Sequence, residues 1–334
     1  MNFTPKSKSF LPGLIIIIFL LTWSVIYKFF YSPDYVKFKT IAFGTYVEIT
    51  YPRQEKEKTI ALEQEILKTL ADCDQIFSVY KAQSLVSQLN QTGQTKAHPF
   101  LVAVIKEARK VSEISQGAFD ISLGPLIKVW QKADKEQKFP TDKELKAAKA
   151  LVDYRCIEIH ENKILLTKKG MNINLGGIAK GFVIDLIAEK LRKRYIYNCL
   201  INIGGDLRAV GIGPKYKGWV IAIRHPRKQK SYLQKVRLRN QAIATSGDYA
   251  RYSIIEGKRI SHLIDPRTAE IVLDLPASVT VIAPTALQAD ALATAVYILG
   301  KEQGMQLVNS LSDVAILIVN ADGEKFFSQS WKNF

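Results

Sequence analysis

MNINLGGIAKGFVIDLIAEKLRKRYIYNCLINIGG, residues 171–205, reads as a strand, a double glycine, a helix and a second strand. Met171–Leu175 is the first strand and Cys199–Ile203 the second, with a helix over Ile178–Lys193 opening directly after Gly176-Gly177. Downstream, strands are expected near Trp219–Ile223, Leu233–Leu238, Gln241–Thr245, Ser261–Ile264 and Ser278–Ile282. A helix pair, Thr285–Leu299 and Gln303–Leu311, and a strand Val314–Val319 complete that half. Upstream lie a strand Thr40–Tyr51 and a helix opened by the charged run Arg53–Lys58, with Ile60, Ile66, Leu67 and Leu70 at helical spacing. Helices over Phe100–Ile114, with Pro99 at its start, and Asp142–Val152 follow, then strands near Cys156–His160 and Ile164–Thr167. Helices and strands are mixed without regular βαβ alternation. That pattern predicts an α+β fold with a largely antiparallel sheet and packed helices. The NLGG of 174–177 recurs as NIGG at 202–205, a match too short to establish duplication.

The chain has 334 residues, enough for one large domain or two smaller ones, and 47% hydrophobic with 23% charged residues excludes a disordered or fibrous protein. The N-terminus stands apart. Phe10 to Tyr27 contains no charge and Leu14 to Leu21 is wholly apolar, about enough for a helix to span a hydrocarbon core. No small residues follow in a cleavage-site pattern, so residues 1–30 are expected to form an uncleaved N-terminal transmembrane helix and 31–334 the catalytic domain. Lys6, Lys8 and Lys28 flank both ends, so charge does not orient it. The net charge is +16, of which residues 31–334 carry +13, forty-four Lys and Arg against 31 acids. No basic run is interleaved with aromatics and no DNA-binding spacing occurs, which argues against nucleic acid and for a solvated surface facing anionic lipid. Cys73, Cys156 and Cys199 have no CxxC spacing and read as small core residues.

GxGxxG, GxxxxGK[ST], HExxH and GxSxG are absent. Four segments could carry chemistry. Thr285-Ala286-Leu287-Gln288 has the form of a capping box, and Asp290 and Thr294 follow at i, i+4 on one face of a run of small residues. Such hard oxygen ligands suit Mg²⁺, although spacing alone favours an Asp hydrogen-bonded to a neighbouring segment. Gly176-Gly177 with Lys180 in the next helical turn makes an anion site or, equally, a tight strand–helix turn. His262, in Ser261–Thr268 (SHLIDPRT), could take a proton from an attacking hydroxyl, with Asp265 orienting the loop; a lone His is more often structural. Gly117-Ala118-Phe119-Asp120 and Tyr80 could grip a ring system or form packed turns.

Read together and in order, these segments resemble the ApbE family of FAD:protein FMN transferases. The matching stretches are Phe43-Gly44-Thr45, Phe77-Ser78-Val79-Tyr80, Gly117–Pro125, NLGGIAKG (174–181), NIGGD (202–206), ATSGD (244–248), SHLIDPR (261–267) and SVTVIAPTALQADALAT (278–294). The resemblance implies a T-fold-like α+β domain that splits FAD and attaches FMN to a Thr or Ser hydroxyl of an acceptor protein, releasing AMP. It implies Mg²⁺ held by Asp290, Thr294 and the Gly177 carbonyl, and FAD contacts from Phe43, Tyr80, Ala118, Phe119, Asp120, Asn174, Lys180 and Ile264. His262 is implied as the base. Acceptors are implied to be subunits of membrane redox complexes, and the domain to face the extracytoplasmic side of the inner membrane.

Two positions depart from the family pattern. Asn174 stands where Asp is common, and Phe43 where Met is common. Two other functions fit the same residues: a Mg²⁺-dependent FAD pyrophosphatase that uses water as acceptor, or a non-catalytic membrane-anchored flavin-binding protein, against which the retained Asp290, Thr294 and His262 argue.

Overall fold

Ser278–Ala283 and Ala315–Val319 form neighbouring antiparallel strands buried on both faces, the first carrying Ser278 and Thr280 among its apolar residues, and they mark the centre of the fold. The structure is a computed structural model that describes residues 13, 16–23, 34–214, 216–228, 230–247, 252–261, 263–272 and 276–334. In chain order its elements are β1 (Tyr35–Ala42), β2 (Thr45–Pro52), α1 (Lys56–Phe77), α2 (Leu85–Thr92), β3 (Gln94–Lys96), α3 (Pro99–Ile114), α4 (Gly124–Glu136), α5 (Asp142–Lys149), β4 (Ile157–Ile159), β5 (Lys163–Leu166), α6 (Ala179–Lys193), β6 (Cys199–Ile203), β7 (Asp206–Val210), β8 (Trp219–Arg224), β9 (Tyr232–Leu238), β10 (Gln241–Gly247), β11 (Tyr252–Ile255), β12 (Lys258–Ser261), β13 (Ser278–Ala283), α7 (Ala286–Asn309), β14 (Ala315–Val319) and β15 (Lys325–Phe327).

Eight strands form one sheet in the order β1-β2-β6-β7-β10-β13-β14-β15, and every pairing in it is antiparallel. The two-residue alternation of a strand splits its side chains between two layers. Val279, Val281, Ile316 and Ile318 join α1, α3, α6 and α7 in the main core. Ile282, Ala315, Leu317 and Val319 face the other way and are covered by Trp219, Ile221, Ile223, Val236 and Leu238 of the β8–β9 hairpin. The sheet is therefore sandwiched between helices and a hairpin. A smaller cluster joins α4 and α5 to β11–β12 and the 264–271 turn. Among the described residues, the buried hydrophobic ones all lie at or beyond Phe38.

Several elements differ from the expected ones. Thr40–Tyr51 is a hairpin: Phe43 and Gly44 both take positive φ (53° and 69°), the primed turn that matches strand twist, and a Phe at such a position hides it from pattern reading. Met171–Leu175 joins no strand ladder beyond the bridge of Asn172 to Leu123, because the Asn90 side chain takes both backbone groups of Ile173. Gly124-Pro125 opens α4, a helix absent from the expected elements, with Pro suited to a first helical turn. The expected helix pair, by contrast, is present: α7 is two helices that meet at a kink at Gly300, whose φ of 73° and ψ of −170° are not helical. The strand expected at Ser261–Ile264 is β12, which ends at Ser261. Of the expected anchor, Ile16–Trp23 is helical with exposed side chains and most of the rest of residues 1–30 lies outside the described residues. Among the described residues no helix is long and apolar enough to cross a membrane.

Candidate functional site

The site forms where α6 and α7 cross. Gly181, in the first turn of α6, lies so close to α7 that a Cβ there would sit 2.2 Å from the Ala286 carbonyl oxygen. Only glycine permits that approach. The Gly181 N–H then donates to Asp290 Oδ2 at 3.0 Å. The same contact brings Lys180 beside Asp290, at 3.2 Å, while Lys180 also pairs with Asp206 at the start of β7. Asp206 in turn accepts from the Thr245 N–H of β10 at 3.3 Å.

Two buried carboxylates thus share one ammonium, a cluster with net charge −1 when all three are ionised. Burial pushes the Asp290 carboxyl up to about 6; Lys180 counters this and Asp206 adds to it. For Lys180 burial works against the charge, but Asp206 and Asp290 outweigh it and hold the amine above its ordinary value.

Asp290 and Thr294 share a face of α7, and the Thr294 hydroxyl is 2.9 Å from where a Gly177 Cβ would be. The Phe119 ring edge approaches the same point within 3.4 Å. Asn174 holds the strand–helix turn: its Oδ1 accepts from the Gly176 N–H at 2.8 Å and its own N–H donates to the Ile121 carbonyl at 2.7 Å. Phe119, Asn174, Gly177, Lys180, Asp290 and Thr294 are therefore brought together. The donor set of Asp290, Thr294 and the Gly177 backbone, all hard oxygens beside surplus negative charge, fits a small divalent cation.

Other predicted residues frame this cluster. A cleft of about 360 Å³, lined by Tyr80, Asn90, Lys128 and Asn174 among others, opens beside it, with Tyr80 87% exposed at its rim. Asp120 is buried and committed to its own turn: it accepts from the Ser122 N–H, the Ser122 hydroxyl and the Tyr154 N–H. Burial raises its carboxyl pKa despite those bonds. Ala118 and Ile264 are buried, Ile264 bridging to Ile271. Phe43 caps the β1–β2 hairpin, and Gly204 after β6 packs against Thr45 beside it. His262 lies outside the described residues. Its loop is organised by Asp265, which accepts from the backbone and guanidinium of Arg267. Arg267 lies against Gly117 and reaches Gln303 of α7, which ties the loop to the cluster's elements.

The NLGG and NIGG segments each use the Asn side chain to hold a glycine N–H, but at different spacings: Asn174 Oδ1 accepts from Gly176 and Asn202 Oδ1 from Gly205, and one turn opens a helix while the other joins a hairpin with positive-φ glycines. Three residues were missed from the sequence. Asp206, inside NIGGD, is a Lys180 partner; an acid directly after a double glycine was the available signal. Asp185 caps α7, accepting from the Ala286 and Leu287 N–H groups at 2.9 Å each, and Arg208 pairs with it. Nothing local marks those two.

The ApbE family profile matches residues 43–318. The chain is 33% identical over 304 residues to a FAD:protein FMN transferase of Vibrio cholerae, covering 87% of this chain and 90% of the relative. It is 33% identical over 278 residues to one of Haemophilus influenzae, covering 80% of each. Among solved structures, the flavin transferase ApbE from Vibrio cholerae superposes with a TM-score of 0.80 at 30% identity, covering 90% of this chain and 99% of that one. The ApbE protein of Thermotoga maritima gives 0.80 at 29%, with the same coverage. With most of its length and its site motifs inside these matches, the chain belongs to the ApbE family.

Proposed function

We propose that this protein is a Mg²⁺-dependent FAD:protein FMN transferase, which moves FMN from FAD to a Thr or Ser hydroxyl of an acceptor protein and releases AMP. The observation that carries this reading is the Lys180–Asp206–Asp290 cluster set against Thr294 and Gly177, next to the Asn174 turn that lines the cleft. In the transfer the acceptor oxygen bonds to the FMN-side phosphorus, the bond from that phosphorus to the bridging oxygen breaks, and the pair leaves with AMP. His262 takes the hydroxyl proton, worth ~10²–10⁴-fold. Asp290, Thr294 and the Gly177 carbonyl would hold Mg²⁺, which when bound neutralises charge developing on the diphosphate. Lys180, already aimed at the carboxylates, would turn to a phosphate oxygen. Phe43, Tyr80, Ala118, Phe119, Asp120, Asn174 and Ile264 would shape the FAD site. The apolar run at 10–27 would anchor the chain in the inner membrane with the domain on the extracytoplasmic side, where membrane redox subunits supply acceptors.

The test is AMP release from FAD with Mg²⁺, with and without a peptide carrying a candidate acceptor Thr. AMP with covalent flavin on the peptide supports the transferase. AMP with free FMN alone, across acceptor peptides, points to a pyrophosphatase, and bound FAD without AMP to a carrier. Asp290→Ala is expected to abolish flavinylation and Mg²⁺ binding; undiminished turnover removes Asp290 from the metal site. His262→Ala is expected to spare FAD binding and slow transfer, and unchanged kinetics excludes it from the mechanism.

A further inference from the structure

Between Asp206 and Asp248 the chain contains ten Lys and Arg and not one acid. Most of that charge lies on the β8–β9 hairpin. Its inner face, Trp219, Ile221, Ile223, Val236 and Leu238, is buried on the sheet. Strand alternation therefore turns Arg224, Lys235 and Arg237 outward together with Val220 (53% exposed), and the register shift between Ile223 and Arg224 brings Tyr232 (55%) to the same face. Register places Val220 opposite Arg237 and Arg224 opposite Tyr232. Lys235 lies over the Tyr232 ring, 5.1 Å from its centroid. Among the described residues, Arg224, Lys235 and Arg237 have no acidic partner. A cationic face carrying an exposed tyrosine and valine has the composition that settles at a lipid headgroup layer.

The path of the chain supplies the occupant. Tyr35, at the start of β1, packs edge-on against Trp219 at the root of the hairpin, ring centroids 5.6 Å apart, and its hydroxyl accepts from Asn198. The apolar run ends at Tyr27, and the seven residues 28–34 that separate it from β1 reach at most about 25 Å. A bilayer holding that run would therefore lie near this end of the domain. The hairpin also covers the sheet face opposite α6 and α7, so a bilayer against it leaves Lys180 and Asp290 on the far side, open to FAD and a protein acceptor.

We propose that the outward face of the β8–β9 hairpin docks the domain on an anionic lipid surface through Arg224, Lys235 and Arg237, with Tyr232 and Val220 at the headgroup level. The chain-path argument rests on the membrane-anchor reading above; the charge argument does not.

The test uses residues 34–334, which hold every buried hydrophobic residue among the described ones. Sedimentation with vesicles of phosphatidylcholine alone is compared with an equimolar mixture of phosphatidylcholine and phosphatidylglycerol. Binding is expected only to the mixture at about 0.1 M salt, and release at about 1 M, where screening shortens to about 3 Å. The double variant K235E/R237E is expected to bind about thirtyfold more weakly, from roughly 1 kcal/mol per basic residue at the surface. K143E/K146E on α5, with the same charge change elsewhere, is expected to bind as wild type. Equal losses in both variants, binding to phosphatidylcholine alone, or no binding to the mixture each overturns the proposal; the last leaves an acidic protein as the partner of this face. Should K235E/R237E not fold, an environment-sensitive dye on Ala222→Cys in the full chain, reconstituted in the mixed vesicles, must shift to the blue relative to detergent, and an unchanged spectrum overturns it. AMP release measured on the same preparations reports separately on the transferase reading.

Discussion

Asp185 and Asp120 are acids whose structural work is separable from chemistry. Asp185 closes two N–H groups at the start of α7 and neutralises Arg208. Asp185→Ala should cost about 2 kcal/mol from two lost cap bonds, lower Tm by several degrees, and weaken Mg²⁺ binding by loosening the helix that carries Asp290. Calorimetry with and without Mg²⁺ checks both effects. Asp120 serves three donors with two carboxylate oxygens, whereas Asn has one acceptor oxygen. Asp120→Asn should therefore cost about 1–3 kcal/mol for the orphaned Tyr154 or Ser122 donor, read by urea unfolding. The sign of its pH dependence follows from burial. The folded carboxyl binds its proton more tightly than the unfolded one, so the burial cost is present at high pH and relieved as pH falls through the raised pKa. Wild type should gain stability relative to Asp120→Asn over that interval; a flat difference between them would remove Asp120 from the account.

At the scale of elements, the α6–α7 crossing decides the site. Gly181 is the point of contact, and the obstacle to a larger residue is backbone rather than a side chain that could swing away. Gly181→Ala should cost about 3 kcal/mol and part Lys180 from Asp290, seen as lower Tm together with weaker FAD and Mg²⁺ binding. Gly300→Ala is the matched control: it strains a positive-φ break in α7 with open space around it, and should lower stability by about 1 kcal/mol without moving the site. If both variants weaken ligand binding alike, general destabilisation explains the loss and the crossing has no special role.

For the whole molecule, burial on both sheet faces controls which thiols can react. Burial pushes the thiols of Cys73 and Cys199 up to about 12 each, while Cys156 is part-exposed. Because the thiolate is the reactive form, native protein at pH 8 should titrate one thiol with Ellman's reagent and three after denaturation. Three in the native state would mean that the core opens readily. The predicted α+β class was legible at this scale because helices and strands are mixed along the chain with no regular βαβ rhythm. The Phe43-Gly44 hairpin, the ladderless Met171–Leu175 segment and α4 were not legible. Their backbone hydrogen bonds are decided by partners distant in sequence, such as Asn90 for Ile173.

The sequence by itself determined the periodicities of the strands and helices, the i, i+4 placement of Asp290 and Thr294, and the motif order that marks the ApbE family. Those are properties of short windows, where spacing alone sets which side chains share a face. Only the tertiary structure decided that Lys180 meets Asp290 across 110 residues and Asp206 across 26, and that the hairpin covers the sheet face away from them. The reason is physical: such contacts depend on how closely two elements approach, and here a single missing Cβ at Gly181 sets that distance.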